Sequence, residues 1–141
     1  GKSLGVETVS LKKAFWEVPF VPGKLTVVAY RDGEKAEESV CTAGAPARLA
    51  LENWTSGVTN SDARVINVAV TDENGVLVPD HNEEVEFFVT GGVILGVGNG
   101  DPNSHHHQKA SRIRLFHGKA QIILSAGGQV KAVCGKLEAT I

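Results

Sequence analysis

Methionine is absent from the 141-residue chain, even at position 1, so an excised or processed piece of a longer product is the expectation. Cysteine is scarce. Cys41 and Cys134 are too few for a disulfide scaffold and are not spaced as zinc ligands. Free thiols are expected, because a Cys41–Cys134 bridge would need an oxidising compartment and a Cα separation that sequence does not supply. Alternation groups Cys134 with Val130 and Ala132 as a small buried apolar residue, while the facing of Cys41 is open. No apolar run approaches the roughly 18 residues of a membrane-spanning helix, and residues 1–15 lack the charged-then-apolar order of a signal peptide. Any export signal is therefore expected upstream. Neither charge sign dominates, with 14 Lys and Arg against 16 Asp and Glu and no long single-sign run. That removes the electrostatic footprint for nucleic acid or an anionic membrane, and both are set aside as partners.

What is present is enough apolar residue, 42% against 21% charged, to bury a core. The length suits one ordinary domain, or a small domain with an attached fragment. The dominant period is two, the mark of strands with one buried face, and helical spacing is nearly absent. In residues 64–71, Ile66, Val68 and Val70 share a face; in residues 83–90, Val85, Phe87 and Val89 do. Between them, Asp72-Glu73-Asn74-Gly75 and Pro79-Asp80 read as a short polar connection. Further strands are expected at 93–97, at Ile113 with Leu115, at Ala120, Ile122 and Leu124, at 130–134 and at 137–141, with turns at His117-Gly118 and Gly127-Gly128. From Pro46 onward this makes roughly seven or eight short strands, the rhythm of an immunoglobulin-like two-sheet sandwich. The Cys-Trp-Cys landmarks of antibody domains are missing, so the expectation concerns architecture alone.

Residues 1–44 read differently, as short strands near 6–11, 15–18, 24–30 and 37–42, with turns at Pro22-Gly23 and Asp32-Gly33. This stretch is too small for a core of its own. It is expected to be a partial β segment of a preceding small β domain, or an annex, with the sandwich domain spanning 45–141. Packing through Trp16, Phe20 or Tyr30, and association through unpaired strand edges, are the corresponding expectations.

Candidate chemistry is thin. His105-His106-His107 could present two imidazoles to one metal, with Asp101 or His117 as a third ligand, but such a run reads more readily as a solvated loop. Gly96-Val97-Gly98-Asn99-Gly100-Asp101 has glycine spacing without the helix that a dinucleotide loop needs. Asn99, Gly100 and Asp101 are accordingly expected to form a structural loop in which Asp101 caps backbone amides. The acids Asp32, Asp72, Glu73, Asp80, Glu84 and Glu86 fall in turns or on outward strand positions and read as a solvated face. Ser10, Ser39, Ser61, Ser104 and Ser125 lack the context of a nucleophile elbow. No catalytic set, no metal site and no cofactor site is assigned. Trp16, Trp54 and Phe88 are the candidates for sugar or interdomain contact, with Tyr30 and Phe116 as further aromatics.

Several segments occur together in a telling order: Gly1-Lys2-Ser3-Leu4-Gly5, the run from Trp16 to Leu25, Val28-Ala29-Tyr30, and Thr42-Ala43-Gly44-Ala45-Pro46-Ala47-Arg48-Leu49. Gly98-Asn99-Gly100-Asp101-Pro102 and Arg114-Leu115-Phe116-His117-Gly118 follow. Together they resemble the C-terminal region of family 2 glycoside hydrolases of the bacterial β-galactosidase type, over nearly the whole chain. The resemblance implies that the first stretch completes a strand of a small β domain and that an immunoglobulin-like domain follows the Ala-Gly-Ala-Pro boundary. It implies a parent enzyme that hydrolyses terminal β-galactosides or related β-glycosides with retention, using two glutamates of a TIM barrel. Those glutamates have no counterpart here, so the region is expected to be accessory, with the other domains of the parent as partners and carbohydrate as a further one. Localisation is open, a periplasmic or extracellular parent being favoured. A carbohydrate-binding module and an immunoglobulin-like repeat of a bacterial surface adhesin are the competing readings; the Trp16–Leu25 run argues against the adhesin.

Overall fold

The computed structural model describes residues 1–54 and 62–141; Ser61 lies outside the described residues. Among these, all regular structure is β: β1 (Lys24–Arg31), β2 (Glu34–Cys41), β3 (Arg48–Asn53), β4 (Ala63–Thr71), β5 (Glu84–Thr90), β6 (Ile94–Gly98), β7 (Arg112–Arg114), β8 (Lys119–Ser125), β9 (Gln129–Cys134) and β10 (Leu137–Thr140). They fall into two units, Gly1–Thr42 and Ala43–Ile141.

The larger unit is a sandwich of two four-stranded antiparallel sheets, ordered β10-β9-β5-β7 and β3-β4-β8-β6. Register explains its core. Directly opposed residues of an antiparallel pair point to the same face, and the pairs Leu49↔Val70, Ile66↔Ile122, Val68↔Ala120, Val85↔Ile113 and Phe87↔Ala132 set one apolar face against the other. All of these side chains are buried, together with Leu115, Leu124, Val130 and Cys134. Burial of each large one stabilises the sandwich by roughly 1.5–3 kcal/mol. Val89 shares the inward face and packs against the core opposite Val130, but it is only half-buried, because it lies near the end of β5 beside the Gly91-Gly92 turn.

The connection between β4 and β5 is not the polar surface loop its composition suggests. Val78 is buried in the core and its amide donates to the Val70 carbonyl at 2.9 Å. Asp72, 3% exposed, is the one buried charged residue among the described residues. Its Oδ1 accepts the amides of Asn74 and Val76, each at 2.9 Å, and its Oδ2 accepts that of Gly44 at 2.8 Å. A carboxylate can be buried when amides replace its water. Close approach also dictates Gly118, which has φ +72 and whose missing Cβ leaves room for the Val78 carbonyl.

The smaller unit is a two-stranded ribbon, β1 against β2, closed at Arg31↔Glu34 by Asp32-Gly33. Both turn residues have positive φ, 51 and 85, as a two-residue I′ turn requires. No side chain of residues 1–42 is buried. Residues 6–11 and 15–18, expected as strands, form none; Ser10 and Lys13 make an isolated bridge. Alternation alone cannot make a strand where no second strand supplies hydrogen bonds.

Candidate functional site

The chain between β6 and β7 is organised by its own side chains. The Asn99 Nδ2 donates to the Arg114 carbonyl at 2.9 Å, and its Oδ1 accepts the Asp101 amide at 3.0 Å. Asp101 Oδ1 in turn accepts the Asn103 amide at 2.9 Å, and its carbonyl accepts that of Ser104 at 3.1 Å. Gly100, with φ +77, makes the turn between them. His106 Nε2 lies 2.5 Å from the Arg112 carbonyl, which fixes it as the donor there. His107 Nδ1 accepts the Lys109 amide at 3.2 Å. Two of the three consecutive histidines are thus committed to backbone groups, one in the loop and one in β7.

Beside this loop opens a cleft of about 490 Å³, lined by Asn99, Asp101, His105 and His106 from the loop, and by Asn82, Arg114 and Phe116 from its surroundings. Arg114 is positioned by donating from Nε to the Asn82 carbonyl at 2.7 Å. Asn82 Oδ1 accepts the His117 amide at 2.9 Å, which steadies a non-glycine residue at φ 50. The His117 ring meets Phe116 edge-on, with centroids 4.2 Å apart. The cleft therefore combines hydrogen-bonding groups of both kinds with one aromatic ring, the equipment for holding a polar ligand. Asp101 is the only carboxylate among its described lining residues, whereas glycoside hydrolysis takes two carboxyl groups flanking one bond.

The other sequence candidates are dispersed. Trp54 follows β3 and donates its amide to the Val65 carbonyl at 2.8 Å; Phe88 stands on the outer face of β5; both are exposed, and neither lines the cleft. Trp16, also exposed, belongs to the smaller unit. Asp101 and His117 do not join the histidine run in a ligand set. Among the described residues, the one group of three potential ligands lies elsewhere, at His81, Glu83 and Cys134. Cys134 Sγ is 3.5 Å from His81 Nε2, and His81 Nε2 is 4.0 Å from Glu83 Oε2. Burial pushes the Cys134 thiol above its ordinary pKa, and the nearby Glu83 carboxylate adds to the effect. Local sequence carries no sign of this group, because only the register of β5 on β9 brings its members together. Both cysteines are free thiols, Cys41 exposed and Cys134 buried.

This all-β architecture is that of the C-terminal β-sandwich domains of family 2 glycoside hydrolases. Residues 48–140, more than half of the chain, match the glycoside hydrolase family 2 C-terminal domain 5, and the chain belongs to that family. Residues 1–37 match the domain of unknown function DUF4982. The chain is 38% identical over 135 residues to the β-galactosidase BoGH2A of Bacteroides ovatus, covering 92% of this chain and 16% of that enzyme. Among solved structures it resembles a glycosyl hydrolase family 2 member from Bacteroides cellulosilyticus, with a TM-score of 0.82 at 26% identity, over 89% of this chain and 19% of that one. A β-glycosidase from Bacteroides vulgatus gives a TM-score of 0.77 at 28% identity, over 89% and 18%. The chain thus spans less than a fifth of the length of these relatives.

Proposed function

We propose that this chain is the non-catalytic C-terminal accessory region of a β-galactosidase-type enzyme whose catalytic domain hydrolyses terminal β-galactosides or related β-glycosides. The observation that carries the reading is that Asp101 is the single carboxylate among the cleft's described lining residues, in a family 2 C-terminal domain, where the reaction takes an acid pair. The 38% identity to a β-galactosidase supports the substrate class. In this reading 45–141 is an immunoglobulin-like domain and 1–44 a segment of the preceding β domain. The apolar residues that the ribbon exposes, Leu25, Val27 and Val28 among them, face other domains of the parent.

Carbohydrate is the proposed visitor to the cleft, because Asp101, Arg114 and His105 offer both donors and acceptors beside the Phe116 ring. The reading is tested by the coding sequence upstream of Gly1, which is expected to encode a TIM barrel with two catalytic glutamates; a surface-anchored adhesin there would contradict it. Titration of galactose or lactose into the chain tests the carbohydrate contact, with binding lost in Arg114→Ala expected and binding unchanged by that substitution overturning it.

A further inference from the structure

We propose that His81, Glu83 and Cys134 form a binding site for a divalent metal ion of the zinc class, seated where the end of β9 meets the start of β5. The three potential ligand atoms, one from each side chain, lie within 4.8 Å of one another. With zinc–sulfur and zinc–nitrogen bonds of about 2.3 and 2.0–2.1 Å at a tetrahedral angle, the sulfur and nitrogen ligands sit about 3.6 Å apart. The Cys134 Sγ to His81 Nε2 separation of 3.5 Å therefore needs almost no change. The His81 Nε2 to Glu83 Oε2 separation of 4.0 Å is longer than the roughly 3.3 Å of bound ligands. Glu83 is the ligand free to close it, since its side chain is 63% exposed while that of His81 is 13% exposed.

The backbone holds the two inner ligands. Cys134, 1% exposed, ends β9 and is paired with Leu137 across the hairpin. His81 follows Val78 of the core and donates its amide to the Val78 carbonyl at 3.3 Å. Glu83 is anchored where its carbonyl accepts the Leu115 amide at 2.9 Å. The glycine after the thiol contributes directly: a Cβ on Gly135, at φ +58, would lie 3.0 Å from Glu83 Oε2, so glycine leaves space for the carboxylate beside the thiol. A thiolate and an imidazole select zinc, cobalt or nickel over magnesium and calcium. Three protein ligands leave one tetrahedral position for water, on the exposed Glu83 side through which the ion enters. On binding, the thiol gives its proton to solvent and the sulfur donates its electron pair to the ion, with no change of oxidation state. Such an ion would tie the β9–β10 hairpin to the connection between β4 and β5.

Cobalt(II) tests this, because a thiolate bound to cobalt gives a near-ultraviolet charge-transfer band that nitrogen or oxygen ligands do not give. Titration of the reduced 141-residue chain with cobalt chloride is expected to raise that band to saturation at one equivalent, and zinc chloride is expected to displace it. Cys41→Ser should leave the band intact and Cys134→Ser should abolish it. His81→Ala and Glu83→Gln should each weaken cobalt binding by at least the roughly 10–100-fold that loss of an outer partner costs a metal site. The proposal is overturned if no band forms up to roughly millimolar cobalt, or if the band survives in Cys134→Ser. It is equally overturned if the band depends on Cys41. Should Cys134→Ser fail to fold, His81→Ala decides, since cobalt affinity unchanged in that variant contradicts the site and affinity lost supports it.

Discussion

The Asp72 carboxylate accepts the Gly44 amide at 2.8 Å, across 28 positions of sequence, and so fastens the chain's entry into the sandwich to the turn after β4. The same carboxylate takes the Asn74 and Val76 amides. The Gly44 hydrogen bond, followed by that of Val76, holds its pKa below the ordinary 3.8, while burial opposes them and Asn74 adds to them.

A depressed folded-state pKa means that ionised Asp72 stabilises the fold fully above the unfolded value of 3.8, and that this contribution is lost as pH falls through the lower folded value. Asp72→Ala is expected to lower the melting temperature near neutral pH by roughly 5–15 °C, the consequence of three orphaned amides. In thermal melts of both proteins from neutral to strongly acidic pH, the gap should narrow only below about pH 4. A gap that is constant across this range would show that the carboxylate charge is irrelevant.

Ile122 is fully buried and paired with Ile66 at the centre of one sheet. Ile122→Ala is expected to destabilise the sandwich by about 2–5 kcal/mol through lost burial and the cavity left behind. Urea unfolding followed by tryptophan fluorescence measures this, and a loss below about 1 kcal/mol would contradict the packing described.

The two-stranded ribbon of residues 1–42 buries no side chain, whereas β4 and β8 carry the core. Amide exchange is expected to run through β1 and β2 before β4 and β8, by local opening. Equal protection in the two units would contradict that order.

Alternation made β4, β5, β8 and β9 legible, because each has one face toward the core and residues such as Asn67, Glu86, Lys119 and Lys131 on the other. The same rule failed at residues 6–11 and 15–18, where apolar spacing exists but no strand does. It also missed Asp72 and Val78, since their burial depends on Gly44 and Gly118, which are distant in sequence. Asn99 to Asp101 could be read as a loop from its glycines and short polar side chains. The neighbours that turn it into a cleft could not: Asn82 and Arg114 meet through the pairing of β5 with β7. His81 and Glu83 reach Cys134 only because Glu86 pairs with Val133.

The most direct measurement of the accessory role is turnover of an aryl β-galactoside by the purified chain, alongside Asp101→Ala. A retaining glycosidase needs its two carboxyl groups about 5–5.5 Å apart, and Asp101 is the only carboxylate among the described residues lining the cleft. The expected result is hydrolysis no faster than buffer for both proteins, with a lower melting temperature for Asp101→Ala because the Asn103 amide loses its acceptor. Turnover above buffer that disappears in Asp101→Ala would contradict the account.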